Sequence, residues 1–139
     1  MKKLQYIVLV LMFTYVSAAL NSGCETSITE IVPYSGYWKF TFTKENGTVL
    51  SNAILTIQDT GNFCGKFTVN GSGDEFYIQG DVNGDGQITG GFSTSCTASV
   101  NGNISGTFTD LMGAGYASGT FTDTLQNPSY KGTWQARRN

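Results

Sequence analysis

Ser105-Gly106-Thr107-Phe108-Thr109-Asp110 recurs thirteen residues later as Ser118-Gly119-Thr120-Phe121-Thr122-Asp123. After thirteen more comes a related stretch, Lys131-Gly132-Thr133-Trp134-Gln135-Ala136. The shared element is a glycine, any residue, then a large apolar residue. It is also present as Gly36-Tyr37-Trp38, Gly65-Lys66-Phe67, Gly80-Asp81-Val82 and Gly90-Gly91-Phe92. A spacing of two puts each glycine on the same face of an extended strand as its apolar partner. Glycine there lets a strand bend sharply and leaves a shallow hole that a ring from the next strand can cover. A phosphate-cradling loop would instead need a helix after its glycines, and no helical periodicity follows the first 24 residues.

Around these repeats, apolar and polar residues alternate with period two, the pattern of half-buried strands. Trp38, Phe40 and Phe42 share one face; so do Leu55 and Ile57, then Phe63, Phe67 and Val69, then Phe76, Ile78 and Val82. Asn46-Gly47, Thr60-Gly61, Asn70-Gly71, Asn83-Gly84, Asn101-Gly102 and Asn127-Pro128 punctuate the runs. Such residues tolerate the backbone of tight hairpin turns. Gly36 to Arg137 is 102 residues, which at thirteen per repeat is about eight strands. The reading is all-β: an antiparallel up-and-down meander closed into a barrel, with a two-sheet β-sandwich as the alternative. The face opposite the aromatics carries Thr, Ser, Lys and Gln. A membrane-spanning barrel would put an apolar band there.

Composition narrows function. Charged residues make up 13%, against about 25% in typical globular domains. Aromatics, also 13%, exclude a disordered tail. The chain has no histidine, which excludes His-based triads and His metal sites. Net charge −2 and a pI near 4.9 exclude a nucleic-acid partner recognised through a basic face.

The first 23 residues read as a signal peptide: Lys2 and Lys3, then an apolar run from Leu4 to Leu20. Val16-Ser17-Ala18 offers an ordinary cleavage site. Leu20-Asn21-Ser22-Gly23-Cys24 resembles a bacterial lipobox, with Asn21 where an aliphatic residue is usual. Cysteine arithmetic favours the second. Of Cys24, Cys64 and Cys96, lipidation of Cys24 removes the odd thiol and leaves Cys64 and Cys96 as one potential disulfide. By parity Cys64 faces outward with Lys66, and Cys96 inward with Phe92. A bulge between Phe92 and Cys96 would let them pair; without it both stay free. The expected address is the bacterial cell envelope, lipid-anchored, with soluble secretion as the alternative. Residues 24–35 form a tether and residues 36–139 the single barrel domain.

The two ends of that domain resemble the calycins, the superfamily of lipocalins, avidins and fatty-acid-binding proteins. These begin with Gly-x-Trp, here Gly36-Tyr37-Trp38, and end on an Arg that packs on that Trp. Here Trp134-Gln135-Ala136-Arg137-Arg138 closes the chain. Arg138 shares parity with Trp134 and is the expected stacking partner of Trp38; Arg137 is the second choice. The resemblance implies architecture and no particular ligand.

Candidate chemistry is sparse. Asp81-Val82-Asn83-Gly84-Asp85-Gly86 has oxygen ligands at positions 1, 3 and 5 of a calcium loop, but Phe92 stands where the bidentate acid belongs. A hairpin turn explains the same residues. Asp74/Glu75, Asp81/Asp85 and, by repeat equivalence at one rim, Asp110/Asp123 could pair as catalytic carboxylates; exposed loop acids are the plainer reading. No enzyme activity, metal or cofactor is expected. Inward glycines leave room that Phe67, Phe92, Phe108, Phe121 and Trp134 would line. The expected function is therefore an envelope lipoprotein holding a small apolar or amphipathic ligand inside. The alternative is a module with a closed core that binds an envelope protein. In either case the membrane is touched only through the lipid anchor.

Overall fold

Short alternating segments, each ended by Asn, Asp or Gly, have neither the length nor the periodicity for helices, and adjacent segments pair as hairpins. The computed structural model describes residues 33–109, 115–126 and 129–139. They form β1 (Gly36–Lys44), β2 (Val49–Ile57), β3 (Asn62–Thr68), β4 (Glu75–Val82), β5 (Gln87–Ser93), β6 (Asn101–Phe108), β7 (Tyr116–Asp123) and β8 (Tyr130–Arg138). Every neighbour in sequence is an antiparallel neighbour in space. β8 then pairs with β1, from Trp38 opposite Arg138 to Lys44 opposite Gly132, and closes the barrel. A two-sheet sandwich lacks that closing ladder.

The glycine repeat sits at the tightest strand contacts. Inward-facing residues form a cross-strand row Ile88, Gly106, Gly119, Trp134, Phe42, one from each of β5, β6, β7, β8 and β1. Gly106 and Gly119 lie face to face. A Cβ on either would collide with the other's Cα and with the carbonyl of Ser118 or Ser105. The Trp134 indole covers the space, and its Nε1 donates to the Ser105 carbonyl at 3.2 Å. Gly80 opposite Gly90 repeats the arrangement, with the Phe63 ring against Gly80.

At the end where β1 begins, Tyr34 forms the lid. It is 2% exposed, its ring centroid lies 4.8 Å from that of Phe108, and its backbone carbonyl accepts a hydrogen bond from Trp38 Nε1 at 2.8 Å. The body thus begins at least two residues before Gly36, inside the stretch read as tether. An aromatic side chain there gains more by covering the open mouth than by lying in water. The signal segment and Cys24 lie outside the described residues.

Candidate functional site

Four aromatic rings occupy the middle of the barrel, where the expected ligand would lie. Phe42, Phe67, Phe92 and Phe121 come from β1, β3, β5 and β7, and all four point inward at one level. Their centroids are 5.0 Å apart for Phe42–Phe67, 5.4 Å for Phe42–Phe121, 5.6 Å for Phe67–Phe92 and 5.9 Å for Phe92–Phe121. These contacts are edge-to-face, the geometry that aromatic quadrupoles favour. Alternate strands contribute one layer because neighbouring strands are staggered in a closed barrel. Towards the lid, Phe40 packs on Trp134 at 5.2 Å, and Trp38 meets Phe108 edge-on at 4.5 Å. Ser51, opposite Phe42, is fully buried with its hydroxyl unpartnered.

Trp38 and Arg138 come together at this end. The guanidinium carbon lies 5.2 Å from the Trp38 ring centroid, and Nη2 donates to the Pro33 carbonyl at 3.1 Å. Arg137 points outward, over Tyr116 at 5.9 Å.

Cys64 and Cys96 are bridged, with Cα atoms 5.8 Å apart. The parity conflict resolves at the end of β5. β5 keeps an unbroken register with β4 through Phe92 opposite Ile78 and Ser93 opposite Tyr77, so no bulge of the kind expected between Phe92 and Cys96 flips it; Cys96 lies past the end of the strand, where strand parity no longer applies. The following loop, residues 94–100, then turns back over the outer wall. The bridge holds it there together with a hydrogen bond from Gln79 Nε2 to the Ala98 carbonyl at 2.6 Å. Between loop and wall lies an open groove of about 560 Å³. Its polar lining includes Asn62, Gln79, Asp81 and Thr89, its apolar lining Phe63, Val100 and the disulfide, and Gly80 and Gly90 also border it. Its volume falls in the range of small-ligand sites. Its lining carries one carboxylate and no cation, so it suits a neutral or cationic hydrogen-bond donor. Sequence reading missed this groove, because a loop folding back onto an outer wall leaves no trace in strand alternation.

The calcium-like stretch forms the end of β4, a turn and the start of β5. Asp81 lies on β4 opposite Thr89, and Asn83 Oδ1 accepts the Gln87 amide at 2.8 Å, so that oxygen is committed to the turn. Among the described residues no three Asp, Glu or Cys side chains gather as a metal site. Asp110 lies outside the described residues. β6 and β7 run in opposite directions, so equivalent positions in the repeat fall at opposite ends: Phe108 pairs with Ala117, whereas Asp123 pairs with Tyr130. Glu75 is bound to Lys66 at 2.8 Å, and Asp74 lies in the neighbouring turn.

Asp123 is 2% exposed and uses Oδ1 to accept the Leu125 amide at 2.8 Å. Burial raises its pKa, and the hydrogen bond opposes the rise only in part. The folded state therefore binds its proton more tightly than the unfolded state, and the ionised form costs stability above the raised value. That cost is relieved as pH falls through the folded value towards the ordinary 3.8. Asp123→Asn keeps an acceptor for Leu125 and removes the charge. Thermal melts should show the variant more stable than the parent at pH 7, with the gain gone below the ordinary aspartate value. A constant difference at both pH values would mean that the charge is not the cause.

Comparison with family models, curated proteins and solved structures returns no match. Function is therefore argued from this chain's own geometry.

Proposed function

We propose that this protein is a non-catalytic binding module of the bacterial cell envelope. It is exported, lipid-anchored through Cys24, and acts through its outer wall while its interior serves as structure. The observation that carries this reading is the layer of Phe42, Phe67, Phe92 and Phe121, which packs the middle of the barrel in mutual ring contact. A guest molecule would have to displace rings that are at most 2% exposed, and interiors packed this way resist insertion. Of the two functions expected from the sequence, the filled interior favours the protein-binding module over the ligand carrier. The groove beside the disulfide supports the same reading, since it offers Asp81, Asn62 and Thr89 to donors on a partner. The Trp38–Arg138 stack supports the calycin-like reading of the architecture. The leader and the odd cysteine support the address.

The test is the mass of protein taken from its native envelope, under native and then denaturing conditions. Equal masses are expected, with acyl chains on Cys24. A native mass larger by one small molecule overturns the closed-core reading. A mature chain starting at Ala19 overturns the anchor.

A further inference from the structure

The barrel's charges are segregated around its wall. Strand register sets Tyr116, Arg137, Lys39 and Ile54 in one outward row across β7, β8, β1 and β2. Tyr37 lies next to this row on β1 and is 62% exposed; Ile54 is 59% exposed. Among the described residues, the outward positions of β6, β7, β8, β1 and β2 carry no carboxylate. Glu75 and Asp81 are on β4, and Asp59, Asp74 and Asp85 lie in the turns flanking β3 and β4. Among the same residues the ion pairs are Lys66–Glu75 and Lys131–Glu45, so Lys39 and Arg137 take part in neither. This wall presents cations, tyrosines and two exposed aliphatic residues, Ile54 and Val49, the combination suited to an interface between headgroups and water.

The N-terminal segment meets the body at the same end. Arg138, paired with Trp38 next to Tyr37 and Lys39, holds the Pro33 carbonyl. Cys24 and Pro33 are nine positions apart in the chain, a reach of at most about 32 Å. A lipid on Cys24 would keep the body within that distance of the bilayer. A tether this short raises the effective concentration of headgroups to the order of mM, so a wall with weak intrinsic affinity can still dock.

We propose that the outer wall of β7, β8, β1 and β2 is a membrane-docking face that rests on the anionic lipid headgroups of the bilayer anchoring the chain. The inference goes beyond the binding function and rests on one part of that reading, the lipid on Cys24. Docking turns the Lys66–Glu75 side and the groove outward, towards a partner.

The test uses the full acylated protein in vesicles of phosphatidylcholine, with or without phosphatidylglycerol. Flotation reports the anchor. Labelling by a water-soluble amine reagent, read by peptide mass, reports the face. Lys39 labelling should fall about threefold or more with phosphatidylglycerol and recover in about 0.5 M NaCl, since exposed charges are screened by salt. Lys66, on β3 beyond the edge of that wall and paired with Glu75, should label equally throughout. Arg137→Glu should float as before and restore Lys39 labelling to its level in neutral vesicles. Floating protein whose Lys39 labels alike in both vesicles overturns the docking face and leaves the anchor standing. Protein that neither floats nor carries acyl chains overturns both.

Discussion

Phe42→Ala should lower the stability of the barrel by about 3–5 kcal/mol, the range for removing a buried aromatic ring from a packed core. Phe42 is fully buried and, like Phe92, contacts each of the other three rings in its layer: Phe67, Phe92 and Phe121. It also sits opposite Trp134 on β8, so its loss opens a cavity beside the closing seam. The backbone there is fixed on both sides by ladders, so the walls cannot collapse inward. Urea unfolding should show a lower midpoint with an unchanged slope. Phe42→Leu should cost less, because Leu fills part of the space. A loss for Phe42→Ala of under about 1 kcal/mol would mean that the layer is loose, which would return weight to an interior guest.

Removing the Cys64–Cys96 bridge should cost about 3–4 kcal/mol. The bridge closes a loop of 32 residues, and the chain-entropy relation assigns such a loop that much restriction of the unfolded chain. Cys64→Ala/Cys96→Ala tests this without leaving a lone thiol. A second, local effect separates the lost pin from general weakening. Loop 94–100 then rests on the Gln79–Ala98 hydrogen bond and a few side-chain contacts. Amide exchange in the loop should quicken more than in β6–β8, which the bridge does not touch. Loss of stability with uniformly faster exchange would assign the bridge to the unfolded state alone. No loss at all would contradict the entropic account.

Much of the architecture was legible because a closed meander is built from local rules. Period-two alternation marked the strands, Asn-Gly and Asp-Gly the turns, and the thirteen-residue repeat the strand count. The Trp38–Arg138 contact was legible too, because the last strand of an eight-stranded closed meander must run antiparallel beside the first, and parity then selects Arg138 over Arg137. Features that depend on stagger between strands were not legible. That four phenylalanines from odd-numbered strands reach one level follows from the shear of the barrel, which residue spacing within a strand does not encode. The pairing of Cys64 with Cys96 turned on a loop reversal past the end of β5, and parity alone could state the conflict without resolving it. Tyr34 was read as tether because it lies before the first alternating residue, although it completes the core.

The ladder between β1 and β8 also bears on the order of events during synthesis and export. Trp38 pairs with Arg138, at nearly opposite ends of the described chain. Until β8 arrives, β1 and β7 are both open edges, the inner aromatics have no complete enclosure, and hairpins formed early gain little from one another. This one distant ladder carries a loop-closure entropy cost that the seven hairpin ladders do not. A chain emerging from its N-terminus therefore stays unclosed until its final nine-residue strand is available. The leader read in its first residues would require the same delay, because a chain still open can be threaded through a membrane and a sealed barrel cannot.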